Sequence, residues 1–538
     1  MRHPTSSSAP HGAPHAHPSP RSTNGASTRD AADGTRRTGQ DVDERWEQGV
    51  ERNDSGAARQ AFQPLDADDR KRMAAHAARL VPELEDLAGV VLGWVDTSGI
   101  TRIKTVPVPR LEHAAEWGVG MAPCFDVFLL DDSIVAGEYI GGPVGDLRLH
   151  PDLDRLVRLA ALPGWAWAPV TRYTQEGTVH PLDSRALLAR EVERLAELGW
   201  SVRGAFEIEW SLSDDDGTDH FTPACKGPAY SMTRLSELNR YLRDLLDALT
   251  ETGVSIDQLH PEYAPGQYEL SFAAEDPVGA ADTAILVRET IRAVSLDHGM
   301  VASFSPKVLA DSVGNGGHIH LSLWRDEPAR GRAEEPVAGA VDGPVNMMTG
   351  GHGPFGLTAE GEAFAAGILG RLSALLAIGA PTVSSYLRLI PSHWAGVFGC
   401  WGLENREAAI RLVTGAVGDR GRAANIEIKC FDEAANPHLL LAALLAAGRA
   451  GLAAKAALPE PIAVDPASLS DTERIRLGIE QLPESLAEAV AAFERDEVLA
   501  EALGPEVIDT VATVRRGEIE LFAQASPEQI TESTRWRH

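Results

Sequence analysis

Four short segments, far apart in the chain, place acidic or imidazole side chains among residues that are typical of buried β-strands. The segments are 205–210, 260–272, 316–324 and 425–431. Residues two apart in a strand point to the same side of a sheet. Each segment is therefore predicted to project its polar side chains from one face. Three pairs share a face in this way: Glu207 with Glu209, His318 with His320, and Glu427 with Lys429.

Carboxylates dominate these segments, and burying several of them on one sheet face is unfavourable unless a cation neutralises them. The predicted metal ligands are five glutamates and one histidine: Glu207, Glu209, Glu262, Glu269, Glu427 and His318. Oxygen donors with a single imidazole favour Mg²⁺ or Mn²⁺ over Zn²⁺. One octahedral ion cannot absorb so many carboxylates, so two or more ions are predicted. The alternative for any single pair is an ordinary exposed strand face.

Four cationic side chains accompany the predicted metal ligands. Arg388 lies in segment 385–391, Arg406 and Arg411 lie in segment 405–411, and Lys429 follows Glu427 by two residues. Arginine offers a rigid fork for carboxylate and phosphate, so a site with two metals and several guanidinium groups indicates phosphoryl transfer. The alternative for any one arginine is a surface salt bridge. The sequence has neither G-x-x-x-x-G-K-[ST] nor a G-x-G-x-x-G turn after a strand, so nucleotide must be held in another way.

The elements that must position these residues alternate between strand and helix from residue 181 onward. Helices are predicted at 186–198, 235–250, 280–297, 360–378 and from 439 onward, and the four polar segments fall on the strands between them. A hairpin is predicted at 89–106 around the turn 96–99. We divide the chain into a disordered low-complexity tail at 1–60, a leading helical segment at 61–84, a small α+β domain at 85–178 and a large domain at 179–538.

Composition limits the kind of partner. The net charge of −29 and the pI near 5.0 argue against nucleic acid or anionic membrane. The four cysteines lack C-x-x-C spacing, so neither a disulfide framework nor a structural zinc site is indicated. The longest apolar helix candidate, at 439–447, is shorter than the ~20 residues of a membrane span. A cytoplasmic protein is predicted.

The order of these segments resembles the glutamine synthetase superfamily from about residue 85 to the end. The matching motifs are the W-V-D-x-x-G-x-x-R hairpin at 94–102, E-x-E at 207–209, H-P-E at 260–262, G-H-x-H-x-S at 317–322, S-Y-x-R-x-x-P at 385–391, N-R-x-x-x-I-R at 405–411 and I-E-x-K at 426–429. The resemblance is greatest to actinobacterial glutamine synthetase-like ligases that join glutamate to amines other than ammonia. It implies an α+β fold with a small N-terminal β-grasp domain and a large catalytic domain whose curved antiparallel sheet is flanked by helices.

The resemblance also implies a reaction and a role for each residue. ATP would activate L-glutamate as γ-glutamyl phosphate, and nitrogen would then attack to form an amide. Glu209, Glu262 and Glu269 would hold the metal nearer glutamate, and Glu207, His318 and Glu427 the metal nearer the nucleotide. The remaining roles are Arg388 on the glutamate carboxylate, Arg406 and Arg411 on the transferring phosphate, and His320 with Ser322 towards the nucleotide. The family assembles as a double hexameric ring, so a homododecamer is expected.

Two departures from the family pattern affect the acceptor. Glutamine synthetases carry a glutamate after R-x-x-P that attracts and deprotonates ammonium, and here Trp394 occupies that place. The usual D-G-S-S latch of the small domain is also missing, and Asp126 is its nearest substitute. The expected acceptor is therefore a small primary amine of the ethanolamine or polyamine type, with Trp394 in its site. The alternatives are authentic glutamine synthesis, with His393 or Glu404 serving ammonia, and a non-catalytic scaffold.

Overall fold

The computed structural model of the protein describes residues 64–142, 144–325 and 343–538. The predicted tail at 1–60 lies outside the described residues. The strands are β1 Gly89–Val95, β2 Thr101–Pro107, β3 Val119–Met121, β4 Leu147–Pro151, β5 Val157–Arg158, β6 Trp165–Thr174, β7 Trp200–Asp214, β8 Ile256–Pro261, β9 Gln267–Phe272, β10 Met300–Ser303, β11 Gly317–Arg325, β12 Val345–Asn346, β13 Phe398–Leu403, β14 Ala408–Val413, β15 Asn425–Ile428 and β16 Glu480–Gln481.

The α-helices of the described residues follow the same numbering along the chain. They are α1 Ala67–Leu80, α2 Leu111–Trp117, α3 Ser184–Glu197, α4 Met232–Glu237, α5 Asn239–Thr252, α6 Pro277–Asp297, α7 Ala359–Leu369, α8 Leu372–Gly379, α9 Ser385–Arg388, α10 Arg420–Ala423, α11 Pro437–Ala454, α12 Asp471–Leu477, α13 Leu486–Phe493, α14 Glu497–Leu503, α15 Pro505–Leu521 and α16 Pro527–Thr534. Mixed helices and strands confirm the predicted α+β class.

Two sheets organise the described chain. The first has six strands in the order β2-β1-β6-β4-β3, with β5 on β6, and the second has ten in the order β16-β13-β14-β15-β11-β7-β9-β8, with β10 on β7 and β12 on β11. In the first sheet β1 pairs in parallel with β6 and antiparallel with β2. The second sheet is antiparallel except where β13 pairs in parallel with β14. The predicted small domain at 85–178 contains the strands of the first sheet, although its boundaries stay a prediction.

The predicted hairpin is present, and its tip contacts the segment that leads into α11. β1 and β2 pair antiparallel, and the turn is closed by hydrogen bonds from the Asp96 N–H to the Ile100 carbonyl and from the Gly99 N–H to the Asp96 carbonyl. Asn436 then ties the hairpin to α11. Its side-chain oxygen accepts the Leu439 N–H at 3.1 Å as an N-cap, while its Nδ2 donates to the Val95 carbonyl at 3.0 Å.

Removing the Asn436 side chain should destabilise the fold measurably. Asn436→Ala loses the cap and the hydrogen bond that Asn436 donates to the Val95 carbonyl. Together these losses should lower the free energy of unfolding by about 2 kcal/mol. Asn436→Ser, which keeps a capping oxygen but cannot reach the hairpin, should lose roughly half as much. Thermal denaturation of the three proteins checks this. An alanine variant as stable as the wild type would contradict the role of the residue.

Two predicted helices are broken in the structure. The helix predicted at 235–250 is divided at Leu238, whose φ of −113° and ψ of 21° are not helical, into α4 and α5. The helix predicted at 360–378 is two helices bent by 66°. The break falls at Gly370 and Arg371, between α7 and α8. Arg371 has a φ of −123° and a ψ of 6°, which are not helical, and glycine is a poor helix former. The continuous hydrophobic pattern across both breaks explains why single helices were predicted.

The apolar helix α11 is longer than the apolar segment at 439–447 suggested. α11 continues beyond Arg449 to Ala454. It is long and apolar enough to cross a membrane, with a mean hydropathy of 1.4, and the bent pair α7 and α8 would also pass if taken as one span. However, 72% of α11 is buried within the fold, where it packs against α3 and α7. This burial is typical of the core helix of a soluble protein.

Candidate active site

Adjacent strands of the large sheet bring the predicted metal ligands together. β11 lies between β7 and β15, and this register places His318 opposite Glu207 and His320 opposite Glu427. On the other side of β7, Glu209 lies opposite Glu269 of β9. Alternate residues of β7 are buried on the opposite face, as the period of two requires. The polar side chains therefore form one continuous patch across the sheet.

The first part of this patch is the Glu207 cluster, which comprises Glu207, His318, His320 and Glu427. His318 Nδ1 lies 3.0 Å from one oxygen of Glu207 and 3.4 Å from Oε1 of Glu427. His320 Nε2 lies 3.1 Å from the other oxygen of Glu207. The ligand atoms of Glu207, His320 and Glu427 all lie within 4.8 Å of one another. This spacing suits a single cation.

The second part is the Glu269 cluster, which comprises His260, Glu262 and Glu269. His260 Nε2 lies 3.2 Å from Oε1 of Glu269, and its Nδ1 lies 3.5 Å from Oε1 of Glu262. Glu269 also approaches Glu207 and His318 within 4.8 Å, so the two clusters are continuous. Glu209 lies beside them, where it accepts hydrogen bonds from the Gly316 N–H at 2.8 Å and from Gln267 Nε2 at 3.1 Å.

The charges in the two clusters do not balance in the same way. Burial alone would raise the pKa of Glu427, but Lys429, His318 and His320 outweigh it and lower that pKa to about 2. Burial and the charge of Glu209 instead raise the pKa of Glu262 to about 7, and burial raises the pKa of Glu269. In the Glu269 cluster the hydrogen bond with Glu269 raises the pKa of His260 to about 9, so one imidazolium faces two half-buried carboxyls. A divalent cation would relieve the remaining repulsion between the carboxyls.

These donor atoms fit hard divalent ions. The patch offers several carboxylates with imidazole nitrogen and no thiolate, which is the donor set of Mg²⁺ or Mn²⁺. Burial first, and then the charge of Glu209, raises the pKa of both Glu262 and Glu269, and a bound cation would oppose both effects. The geometry therefore suits a metal-assisted reaction on an anionic substrate.

Arg388 lies against Gly314 and Gly316, in the segment that precedes β11. Its Nη2 donates to the Lys429 carbonyl at 3.1 Å, while its Nη1 is buried without a hydrogen-bond partner among the residues that the structure describes. A Cβ on Gly316 would fall 2.8 Å from Nη2 of Arg388 and 2.7 Å from Nε2 of His318. Only glycine leaves room here for both side chains. The free nitrogen is a ready donor for a carboxylate.

The other predicted cations differ in their contacts. Lys429 Nζ donates to Glu427 Oε1 at 2.7 Å, and Arg411 Nη1 donates to its Oε2 at 3.0 Å. Lys429 and Glu427 are both buried. Arg406 is exposed on the connection between β13 and β14, and within the described ranges no ion pair joins it to the clusters. The structure therefore gathers Arg411 and Lys429 at the Glu207 cluster but leaves Arg406 apart.

The predicted nucleotide side follows β11 away from the clusters. His320 Nδ1 lies 2.9 Å from Oδ1 of Asn425. Ser322, two residues further on the same face, accepts a hydrogen bond from Trp324 Nε1 at 2.8 Å. The guanidinium of Arg203 stacks over the Trp324 ring at 4.3 Å from the centroid. Polar and aromatic groups thus continue along this strand beyond the metal ligands.

The loop that carries Trp394 packs against Lys429. Trp394 has a φ of 56° and leaves 54% of its surface exposed, and its N–H donates to Glu407 Oε1 at 2.9 Å. Asp126 does not reach such a site, because both of its oxygens accept from Nη1 of Arg172, at 2.7 and 2.8 Å, in the interior of the chain. Both oxygens of Asp126 are thus occupied within the chain, and its part in a latch stays a prediction.

Sequence reasoning gave no role to four residues that contact the site. His260, although part of the H-P-E motif, and Gln267 could have been assigned by the alternation that identified Glu262 and Glu269, since each lies two residues before one of them. Tyr230, whose hydroxyl donates to Glu262 Oε2 at 2.7 Å, and Glu407 carry no such signal. Both belong to irregular segments, where spacing does not predict direction.

Comparisons with known proteins agree with this geometry. The family profile described as “Glutamine synthetase, catalytic domain” matches residues 181–533. The chain is 52% identical over 452 residues, 84% of this chain and 93% of the relative, to the gamma-glutamylpolyamine synthetase GlnA3 of Streptomyces coelicolor. It is 33% identical over 407 residues, 73% of this chain and 84% of the relative, to a glutamine synthetase of Methanocaldococcus jannaschii.

Solved structures show the same relationship. One described as a novel glutamine synthase homolog superposes with a TM-score of 0.72 at 32% identity, covering 84% of this chain and 99% of that one. A second, described as a GmaS/ADP complex, superposes with a TM-score of 0.69 at 27% identity, covering 84% and 97%.

Proposed function

The chain belongs to the glutamine synthetase family, and from that premise we propose that it is an ATP-dependent ligase that joins the γ-carboxyl of L-glutamate to a polyamine. The observation that carries the proposal is the 52% identity to a gamma-glutamylpolyamine synthetase, which extends over 84% of this chain. Authentic glutamine synthesis is the alternative, because other relatives are glutamine synthetases. A non-catalytic scaffold is disfavoured, since all six predicted metal ligands are present.

The proposed division of ligands follows the family resemblance. Glu207, His318 and Glu427 would hold an ion near the terminal phosphate of ATP, with His320 beside it, since His318 Nδ1 lies 3.0 Å from Glu207 and 3.4 Å from Glu427. Glu209, Glu262 and Glu269 would hold a second ion near glutamate. When bound, Mg²⁺ or Mn²⁺ supplies neutralising charge for the phosphoryl group and the carboxylate. Two or more ions per site are proposed.

The proposed roles of the remaining residues concern binding and charge. Arg388 would donate its unpaired Nη1 to a carboxylate oxygen of glutamate. Arg411, with Arg406 moving in from its exposed position, would neutralise the phosphoryl group in transit, and Lys429 would keep Glu427 charged. His320 and Ser322 would face the nucleotide. Fixed cations are effective here because phosphoryl transfer needs positioned charge more than covalent participation.

Two further features belong to the proposal. A homododecamer of two hexameric rings is proposed from the family resemblance. A cytoplasmic location is proposed because the chain is acidic and the one long apolar helix among the described residues is mostly buried. Neither nucleic acid nor membrane is a proposed partner.

Production of a γ-glutamyl polyamine tests the proposed function. The purified protein is incubated with ATP, glutamate, Mg²⁺ and putrescine or spermine, and products are identified by mass spectrometry. We expect ADP, phosphate and a γ-glutamyl amide in equal amounts. Phosphate release without an amide, or no reaction with any amine including ammonium, would contradict a ligase.

Trp394 should favour an organic amine over ammonium. An indole provides an apolar wall and a π face that attracts a primary ammonium by about 1 kcal/mol, but no carboxylate charge. Trp394→Ala removes the apolar contact and the cation–π attraction, which together contribute about 1.4 kcal/mol. We therefore expect kcat/KM for putrescine to fall about tenfold, while kcat/KM for ammonium changes less than about threefold. Equal losses for both nucleophiles would contradict this role.

A further inference from the structure

Glu407 is a buried carboxylate beneath the Trp394 loop that the reaction described above does not use. It directly precedes β14 and is only 8% exposed. Oε1 accepts the Trp394 N–H at 2.9 Å, and the Glu407 N–H itself is bonded to Oδ1 of Asn405 at 3.1 Å. Oε2 is buried and has no hydrogen-bond partner within residues 64–142, 144–325 and 343–538. Half of this carboxylate is thus unsatisfied.

No cation of the described chain pairs with Glu407. Lys429, whose charge acts on Glu407 without forming an ion pair with it, is already committed to Glu427 at 2.7 Å. The His393 ring is bonded through Nδ1 to the Pro391 carbonyl, and Asp465 adds a second negative charge nearby. Burial raises the pKa of Glu407, and the Trp394 N–H only partly opposes it. A buried, unpaired carboxylate is unfavourable unless something cationic joins it.

The loop that covers Glu407 packs against Lys429. Gly396, at the end of the loop at 391–396, lies so close to Lys429 that a Cβ on the glycine would be 2.9 Å from the Cβ of the lysine. The Lys429 N–H in turn donates to the Ala409 carbonyl, two residues beyond Glu407. The loop therefore packs directly on the residue that holds Glu427. An amine entering beside Trp394 would pass Glu407 on its way to the activated carboxyl.

We propose that Glu407 is the carboxylate that binds the ammonium group of the amine substrate, with the Trp394 indole against the adjoining carbon chain; the inference rests on the proposed function. The unpaired Oε2 supplies the charge that Trp394 cannot. A primary alkylammonium fits both features at once, because its charged end meets the carboxylate and its methylenes meet the exposed indole. Bare ammonium would gain only the first contact. Glu407 and Trp394 together then favour a polyamine.

Glu407→Gln separates charge from structure. The amide oxygen can still accept the Trp394 N–H, and the side chain keeps its size, but the negative charge is lost. We expect kcat/KM for putrescine to fall about 100-fold, as for a buried charge pair that loses one partner, with the KM values for glutamate and ATP within about twofold. Hydroxylamine is mostly uncharged at neutral pH, so kcat/KM of the variant for hydroxylamine should stay within about threefold of the wild-type value.

The matched control is Asp465→Asn, which removes a carboxylate bonded to Ser392 of the same loop. This variant should retain kcat/KM for putrescine within about threefold.

Each outcome decides the matter. Selective loss with putrescine supports the proposal, whereas unchanged putrescine activity, or an equal loss with both nucleophiles, overturns it and leaves Glu407 a structural residue. If the glutamine variant does not fold, the same ratio is measured for Glu407→Asp, whose shortened carboxylate should also impair putrescine selectively. If the wild type uses ammonium but no polyamine, the proposed function fails separately. The ratio is then measured with ammonium, and its selective loss would still support charge binding by Glu407.

Discussion

Glu207→Gln is expected to lower kcat about a thousandfold or more, on the order of 4 kcal/mol of transition-state stabilisation, while leaving the fold intact. Glu207 is shared by two groups of candidate ligands, one with Glu269 and His318 and one with His320 and Glu427. The amide keeps the size of the side chain but binds a hard cation poorly. Steady-state phosphate release at saturating Mg²⁺ measures the effect.

Glu480→Gln is the matched control for this prediction. Glu480 is an exposed glutamate of β16, at the far edge of the same sheet, so its loss should leave turnover unchanged. Thermal denaturation of both variants shows whether the sheet is intact. A folded Glu207→Gln enzyme with wild-type turnover would contradict the assignment of the metal ligands.

Arg388→Lys should raise the KM for glutamate about 100-fold, roughly 2.7 kcal/mol, with little change in the KM for ATP. Lysine retains the positive charge but loses the fork that bonds the Lys429 carbonyl through Nη2 and leaves Nη1 for the substrate. Substrate titrations at saturating ATP and amine give the two constants. The control is Arg420→Lys, at an exposed position of α10.

The reverse pattern for Arg388→Lys would be informative. If the KM for ATP rose while the KM for glutamate stayed constant, Arg388 would act on the nucleotide and not on the amino acid. A variant with both constants unchanged would show that the buried Nη1 has no substrate partner.

The strand-borne part of the site could be predicted from sequence because its signal is strictly periodic. Residues two apart in β7 and β11 point the same way, so E-x-E and H-x-H identify a polar face whatever the tertiary context. Cross-strand register then decides which groups meet, and the sequence does not encode register directly. The pairing of Glu207 with both His318 and His320 therefore required the structure.

The irregular segments were less predictable. Glu407 stands between an arginine and an alanine run, and nothing in that pattern shows that its carboxylate is buried beneath Trp394. The sequence likewise does not show that Asp126 is buried against Arg172, because these two residues are 46 apart in the chain. The helix breaks at Leu238 and Gly370 were hidden by hydrophobic patterns that continue across them. In each case tertiary contacts, which lie outside any local window, determined the outcome.

A competition between amines tests the central claim most directly. The enzyme is given ATP, glutamate, and equal concentrations of putrescine and ammonium in one reaction, and glutamine and γ-glutamylputrescine are quantified together by mass spectrometry. The product ratio equals the ratio of the two kcat/KM values, so enzyme concentration and stability cancel. The account predicts that γ-glutamylputrescine, or γ-glutamylspermine when spermine replaces putrescine, exceeds glutamine at least tenfold. An excess of glutamine with every polyamine would contradict the account and identify the protein as a glutamine synthetase in activity as well as in family.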